Sequence, residues 1–172
     1  MIDAIEQRLV ESMGDAFAAT MSRAIGAFSS YREIMPLVER SYTRTLLHRT
    51  SEFELVAMLW APGSASPIHD HGASRCWVVG LEGAIDVENF DRLDDREAQA
   101  RLRSAGWSRV AAGDLDHRLN WREMHRVRNT GERPAYTLQL YAEPLASYTI
   151  IVNERSGACG TLTANVDASF SL

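Results

Sequence analysis

The sequence predicts a mainly β chain, a barrel of short strands entered through an α-helical N-terminal part, and three observations lead there. Beyond about Ser51 the chain becomes a succession of short apolar or alternating runs, ELVAMLWA, CWVVGL, AIDVENF, WSRVAA, HRVRN, AYTLQLYA and YTIIV. Clusters of Gly, Pro, Asp, Asn or Ser separate them, which is the texture of strands and turns. Before that point large apolar residues recur every four positions, the spacing of one helix face. With 172 residues, 45% hydrophobic and 24% charged, the chain has material for one well-packed domain.

In chain order, Ile5, Leu9, Met13, Phe17 and Met21 define the first helical face. A second helical stretch is expected over Ile34–Leu47, with Pro36 near its first turn because proline lacks the N–H needed deeper inside. The runs that follow, with no helical pattern between them, imply a closed barrel or a double-sheet jelly roll. The charged stretch Asp91–Leu102 reads as a solvated loop or short helix over its surface. The expected organisation is a single domain over 1–172, helical to about residue 50 and β from about residue 51 onward.

Charge and composition narrow the function classes. A net charge of −5 and a pI near 5.5 exclude the clustered Lys and Arg of a nucleic-acid footprint and favour a small ligand. No apolar run approaches a membrane span. The N-terminus MIDAIEQRLVESMGDAF has no basic region followed by an apolar core, so it does not read as a signal peptide and a cytoplasmic location is expected. In that reducing compartment Cys76 and Cys159 are expected to remain unpaired with each other.

The chemistry-bearing signal is PIHDHG. His69 and His71 are two residues apart, so in an extended segment both imidazoles leave one face while Asp70 points away. Imidazole suits Zn, Cu, Fe or Ni, and such a pair can fill two adjacent corners of a coordination shell. His125 in HRVRN is a candidate third ligand, whereas His48 and His117 lie in polar surroundings and read as solvent-facing.

Gly63, His69, His71, Cys76 and Gly83 stand at the spacing of the first cupin motif, with Cys76 where the motif usually has a glutamate ligand. His125 and Asn129 match the end of the second cupin motif, although its expected Pro and Gly between Gly113 and His125 are absent. The chain thus resembles a cupin, which implies a double-stranded β-helix, or jelly-roll barrel. Within that superfamily the stretch from about Tyr42 to Pro144, with YTR, HDH, the following Cys, MHRVRN and LQLYAEP, resembles the cysteine dioxygenase family.

That resemblance implies a non-haem Fe(2+) site held by His69, His71 and His125. The implied reaction oxidises the thiol of L-cysteine with dioxygen to cysteine sulfinic acid, partway up the thiol oxidation ladder. Three neutral ligands leave more positive charge at the metal than a set containing a carboxylate, which favours an incoming thiolate. Arg44 falls at the family's carboxylate-binding arginine, a role its planar fork of donors suits. From spacing alone it reads instead as an exposed arginine at a helix end. Tyr42 matches a tyrosine that supports the carboxylate or its arginine, the alternative being helix-face packing.

Cys76 and Tyr141 match a pair that some members join by a thioether; read without the family they are two core residues. Strand parity puts Tyr136, Leu138 and Leu140 on one face of AYTLQLYA and Thr137, Gln139 and Tyr141 on the other. The family usually has Ser and His at the positions of Thr137 and Gln139, forming a relay to the tyrosine. Glutamine can hydrogen bond but cannot change charge near neutral pH. This departure keeps 3-mercaptopropionate or mercaptosuccinate open as substrates beside cysteine, and a non-catalytic metal-binding cupin is the alternative from another class. Trp77, next to Cys76, is expected to face the opposite way and pack in the core.

Overall fold

The computed structural model describes residues 2–119 and 121–170, with side chains from residue 7 onward. The helical part is α1 (Ile2–Met13), α2 (Asp15–Gly26) and the single turn α3 (Phe28–Arg32). The four-residue apolar spacing is interrupted by Gly14, whose φ of 83° is the left-handed conformation that glycine adopts without a Cβ penalty. Leu9 and Met21 are buried and Met13 and Phe17 pack at their edge, as the spacing predicts; the side chain of Ile5 lies outside the described residues.

Eleven strands follow among the described residues: β1 (Tyr42–Arg49), β2 (Glu54–Trp60), β3 (Arg75–Glu82), β4 (Ala84–Arg92), β5 (Leu102–Ala111), β6 (Leu115–Arg118), β7 (Glu123–Arg128), β8 (Ala135–Ala142), β9 (Ser147–Asn153), β10 (Ala158–Thr163) and β11 (Ala168–Ser169). Each of the seven runs read as a strand forms one. The charged stretch expected as loop or helix is irregular from residue 93 to residue 101, between β4 and β5.

The helix expected over Ile34–Leu47 is not formed, and the helical part ends at Arg32 rather than near residue 50. Residues 42–49 are β1 instead, antiparallel to β2 with Tyr42 opposite Trp60 and Arg44 opposite Met58. Pro36 stops a helix from entering, and its carbonyl accepts a 2.6 Å hydrogen bond from Thr43 Oγ1. Tyr42, Thr43 and Thr45 are residue types suited to a pleated surface, and pairing with β2 settles the matter because tertiary contacts override weak helix propensity. His48 lies on this strand and His117 on β6, and both are exposed, as their polar surroundings predict.

One sheet runs β11-β1-β2-β8-β3-β6, with smaller sheets β5-β4-β7 and β10-β9. Isolated bridges link His69 to His125 on β7 and to Ile150 on β9, stitching the smaller sheets into a second face. The six-stranded sheet is buried on both sides, so β2 and β8 read as unbroken buried runs. Its outer face carries Leu55, Ala57, Leu59, Trp77, Leu138 and Leu140 against α1 and α2. Full burial of a leucine contributes about 1.5–3 kcal/mol, so Leu138 and Leu140, both 0% exposed, help fasten the helices on. Trp77 packs there, its indole N–H donating to Ser12 Oγ at 2.9 Å, while Cys76 faces the other way.

The inner face of the sheet belongs to the barrel. Two motif features keep that architecture in place: Gly63 and Gly83 have φ of 75° and 70°, and buried Asn129 donates to the carbonyls of Trp60 and Arg133, each at 2.8 Å. No helix among the described residues is long and apolar enough to cross a membrane.

Candidate metal centre and its cavity

His69 and His125 are brought together by backbone pairing. Each donates its N–H to the other's carbonyl at 2.9 Å, so they form a hydrogen-bonded antiparallel pair whose side chains share a face. Asp70 turns away, as expected from the spacing, and its Oδ1 accepts from the N–H groups of Gly72 at 3.0 Å and Thr149 at 2.8 Å. That anchor turns the chain so that His71 returns to the cluster.

The three imidazole centroids lie 4.3, 4.9 and 5.4 Å apart, and their ligand nitrogens all fall within 4.8 Å of one another. Burial lowers the proton affinity of all three, and for His71 and His125 the neighbouring imidazoles and Arg118 lower it well below the ordinary histidine range. They are therefore neutral, the state a metal ligand requires. His69 Nδ1 faces the carbonyl of Pro67 at 3.0 Å, a contact that fixes the ring when Nδ1 carries the proton and leaves Nε2 as the donor. Three neutral imidazoles in this arrangement fit a divalent iron, zinc, copper or nickel ion.

The cluster opens into a cavity inside the barrel, lined also by Tyr42, Arg44, Gln139, Tyr141, Tyr148, Asp116 and Arg118. Arg44 is buried on β1, its guanidinium 5.4 Å from the centre of the Tyr141 ring. Nη2 reaches Glu54 Oε1 at 3.4 Å, and Nε is buried with no partner among the described residues. The surface-helix reading of Arg44 therefore fails: it sits on a strand and faces the cavity. Tyr42 lines the same wall, its ring 4.8 Å from that of Trp60, and burial with Tyr148 beside it pushes its hydroxyl up to about 12.

Cys76 and Tyr141 are direct cross-strand neighbours on β3 and β8. Both are buried, and burial pushes the Cys76 thiol up to about 12 and the Tyr141 hydroxyl further above its usual value, so both carry their protons at neutral pH. The parity reading of β8 holds: Tyr141 donates a short hydrogen bond to Gln139 Oε1 on the cavity face. Thr137 shares that face but is engaged elsewhere, its Oγ1 accepting from Trp60 Nε1 at 3.1 Å, so of the two it is Gln139 that meets Tyr141.

Matching against family models identifies the cysteine dioxygenase type I family over residues 3–151. The chain belongs to that family. Among its curated cysteine dioxygenase relatives, cysteine dioxygenase type 1 of Danio rerio is 32% identical over 108 residues, covering 62% of this chain and 53% of that protein. The Rattus norvegicus enzyme is 27% identical over 134 residues, covering 76% of this chain and 65% of its own. The chain thus spans between about half and two thirds of the length of these cysteine dioxygenases. Solved structures show the fold: a double-stranded β-helix protein from Klebsiella pneumoniae superposes with a TM-score of 0.51 at 16% identity, covering 77% of this chain and 87% of that one. A Bacillus halodurans protein gives 0.50 at 22% identity, covering 62% and 73%.

Three cavity residues, Asp116, Arg118 and Tyr148, and Glu54 behind Arg44 escape the sequence reading. Glu54 is wholly buried and gathers Arg44, both donors of Arg49 at 2.9 and 2.5 Å, and the N–H of Leu145 at 3.3 Å. A carboxylate opening the otherwise apolar run ELVAMLW, at even spacing from Val56, Met58 and Trp60, was a usable signal. Asp116, Arg118 and Tyr148 carried none, because the first two lie in a stretch that reads as polar loop and the last enters only through the closure of β9.

Proposed function

We propose that this protein is an iron-dependent thiol dioxygenase acting on small thiol carboxylates, with L-cysteine the substrate that Arg44 implies. The observation that carries the proposal is the buried, unpartnered Nε of Arg44 in the same cavity as three neutral histidines. An orphaned buried donor needs an acceptor, and a substrate carboxylate supplies one with charge assistance. His69, His71 and His125 would hold Fe(2+), which when bound supplies the site where thiolate and dioxygen meet. Both oxygen atoms end on sulfur, R–SH + O2 giving R–SO2− and H+, so no outside reductant is needed.

Arg44 holds the substrate by its far end and Tyr42 lines the wall beside it. Tyr141 keeps its proton at neutral pH and donates it to Gln139 Oε1, which holds the hydroxyl in the cavity wall; turning that single O–H away from Gln139 would let it donate to the reacting oxygen instead. The apolar lining, including Ile85, Val87 and Val127, limits water around the thiolate. A second reading, another small thiol carboxylate such as 3-mercaptopropionate or mercaptosuccinate, is favoured by Gln139, which offers a fixed amide where a titratable group is usual.

The test is oxygen consumption and sulfinate formation by iron-loaded protein with cysteine, 3-mercaptopropionate and mercaptosuccinate side by side. Arg44 taken alone predicts a preference for cysteine; preference for one of the others selects the second reading. Tightly bound zinc, with no thiol oxidised after iron reconstitution, would instead mark a non-catalytic metal-binding cupin. The register of Cys76 with Tyr141 also supports a thioether between them in the mature protein, the S–H and ring C–H hydrogens being taken up by dioxygen as the oxidant. Digestion is then expected to release the two peptides as one species, two hydrogens lighter than their sum, and separate peptides would rule the bond out.

A further inference from the structure

Register places five chemically active side chains in one row across the inner sheet. Arg49 on β1 pairs with Glu54 on β2, Glu54 with Tyr141 on β8, Tyr141 with Cys76 on β3, and Cys76 with Arg118 on β6. Arg44 joins the row at its Glu54 end. The cavity therefore has a guanidinium at each end of the row, with Tyr141 and Cys76 between them.

Arg118 is a cavity residue with only 12% of its side chain exposed. Its Nη1 donates to Asp116 Oδ1 at 2.8 Å and to the carbonyl of His117 at 2.6 Å, and its Nη2 donates to Asn89 Oδ1 at 2.6 Å. A guanidinium has five N–H donors, so Nε–H and one Nη2–H are left without a partner among the described residues. Asp116 and Asn89 hold the head group still while leaving those donors unspent. Gln139 adds to the same bias: its Oε1 is taken by Tyr141, which leaves its amide as a donor only.

We propose that Arg118 forms a second anion subsite, at the opposite end of the row from Arg44, and that it selects a thiol bearing two carboxylates. The inference rests on the thiol dioxygenase reading and, among its substrates, takes the dicarboxylate of the second reading over the cysteine that Arg44 alone implies. One carboxylate meets Arg44 and the other meets the free edge of Arg118, with the sulfur between them at the histidine cluster. A substrate with an ammonium in place of the second carboxylate would instead face a fixed cation, paired on its other side with Asp116.

The discriminating measurement is anaerobic calorimetric binding of mercaptosuccinate and 3-mercaptopropionate, which differ by one carboxylate, to the metal-loaded protein. Wild type is expected to bind the dicarboxylate at least about 10-fold more tightly, the worth of a charge-assisted pair. Arg118→Gln should lower that ratio by about 10- to 100-fold. Arg118→Lys keeps the charge beside Asp116 but not the planar fork, so it should lie between and covers the case in which the glutamine variant does not fold. A wild-type ratio near one, a ratio unchanged by either substitution, or tighter binding of cysteine than of mercaptosuccinate overturns the subsite. Turnover separates the two readings: an intact binding ratio with no thiol oxidised sinks the dioxygenase proposal alone, while oxidation with no dependence on the second carboxylate sinks the subsite alone.

Discussion

His125→Ala protein, loaded with iron and desalted, is expected to retain almost none of it, whereas Arg44→Ala protein should keep a full complement and bind cysteine poorly. The first effect is large because one of three neutral ligands is lost, and even partners standing behind a metal ligand are worth about 10–100-fold in affinity. The second should appear as a rise of about 10- to 100-fold in KM, the loss of one charge-assisted interaction. His125 is fastened by both of its backbone hydrogen bonds to His69, so truncating its ring leaves that link in place. Metal analysis beside substrate binding checks both variants, and equal loss of iron from the two would refute the division between metal holder and carboxylate holder.

Glu54→Gln should melt at a markedly lower temperature and lose substrate affinity at the same time. Its carboxylate is 0% exposed and takes hydrogen bonds from Arg44, Arg49 and the Leu145 N–H. Removing one member of a buried ionic cluster costs about 3–5 kcal/mol. The pairing with Arg49 counts for less, because that side chain is 46% exposed and its interaction is screened. A net loss of about 3 kcal/mol would lower Tm by about 6–12 °C in a domain of this size. Arg44, released from Glu54, would also hold a carboxylate less firmly, so KM should rise more than kcat falls. An unchanged melting curve with unchanged KM would mean that Arg44 is positioned by something other than Glu54.

How far the site was legible in the sequence can be followed residue by residue. His69 and His71 were readable because a spacing of two in an extended segment needs only the pleat, the shared face of Gln139 and Tyr141 because parity along one strand is a local property, and Cys76 through its place in the motif. Arg44 was identified by its motif context while its surroundings were misjudged: the stretch reads as helix by composition, and its strand state comes from pairing with β2. Thr137 illustrates the limit of parity, which puts its hydroxyl on the correct face but does not reveal that Trp60 engages it. Gly14 shows that an apolar repeat can continue through a break between two helices.

By itself the sequence determined the class of the fold, seven of the strands, the motif glycines and the His69 and His71 pair, since alternation, turn chemistry and short spacings act over a few residues, while His125 was named by the resemblance of HRVRN to the second cupin motif. Only the tertiary structure decided what faces those ligands. Cross-strand register brought Glu54, Tyr141, Cys76 and Arg118 into one row from four separate segments, and barrel closure set Asp116 and Tyr148 in the wall. Burial then gave these groups their chemistry, because desolvation keeps the histidines neutral and the cysteine and tyrosine protonated. Desolvation depends on what the whole fold lays over a side chain, and no local pattern of residues records it.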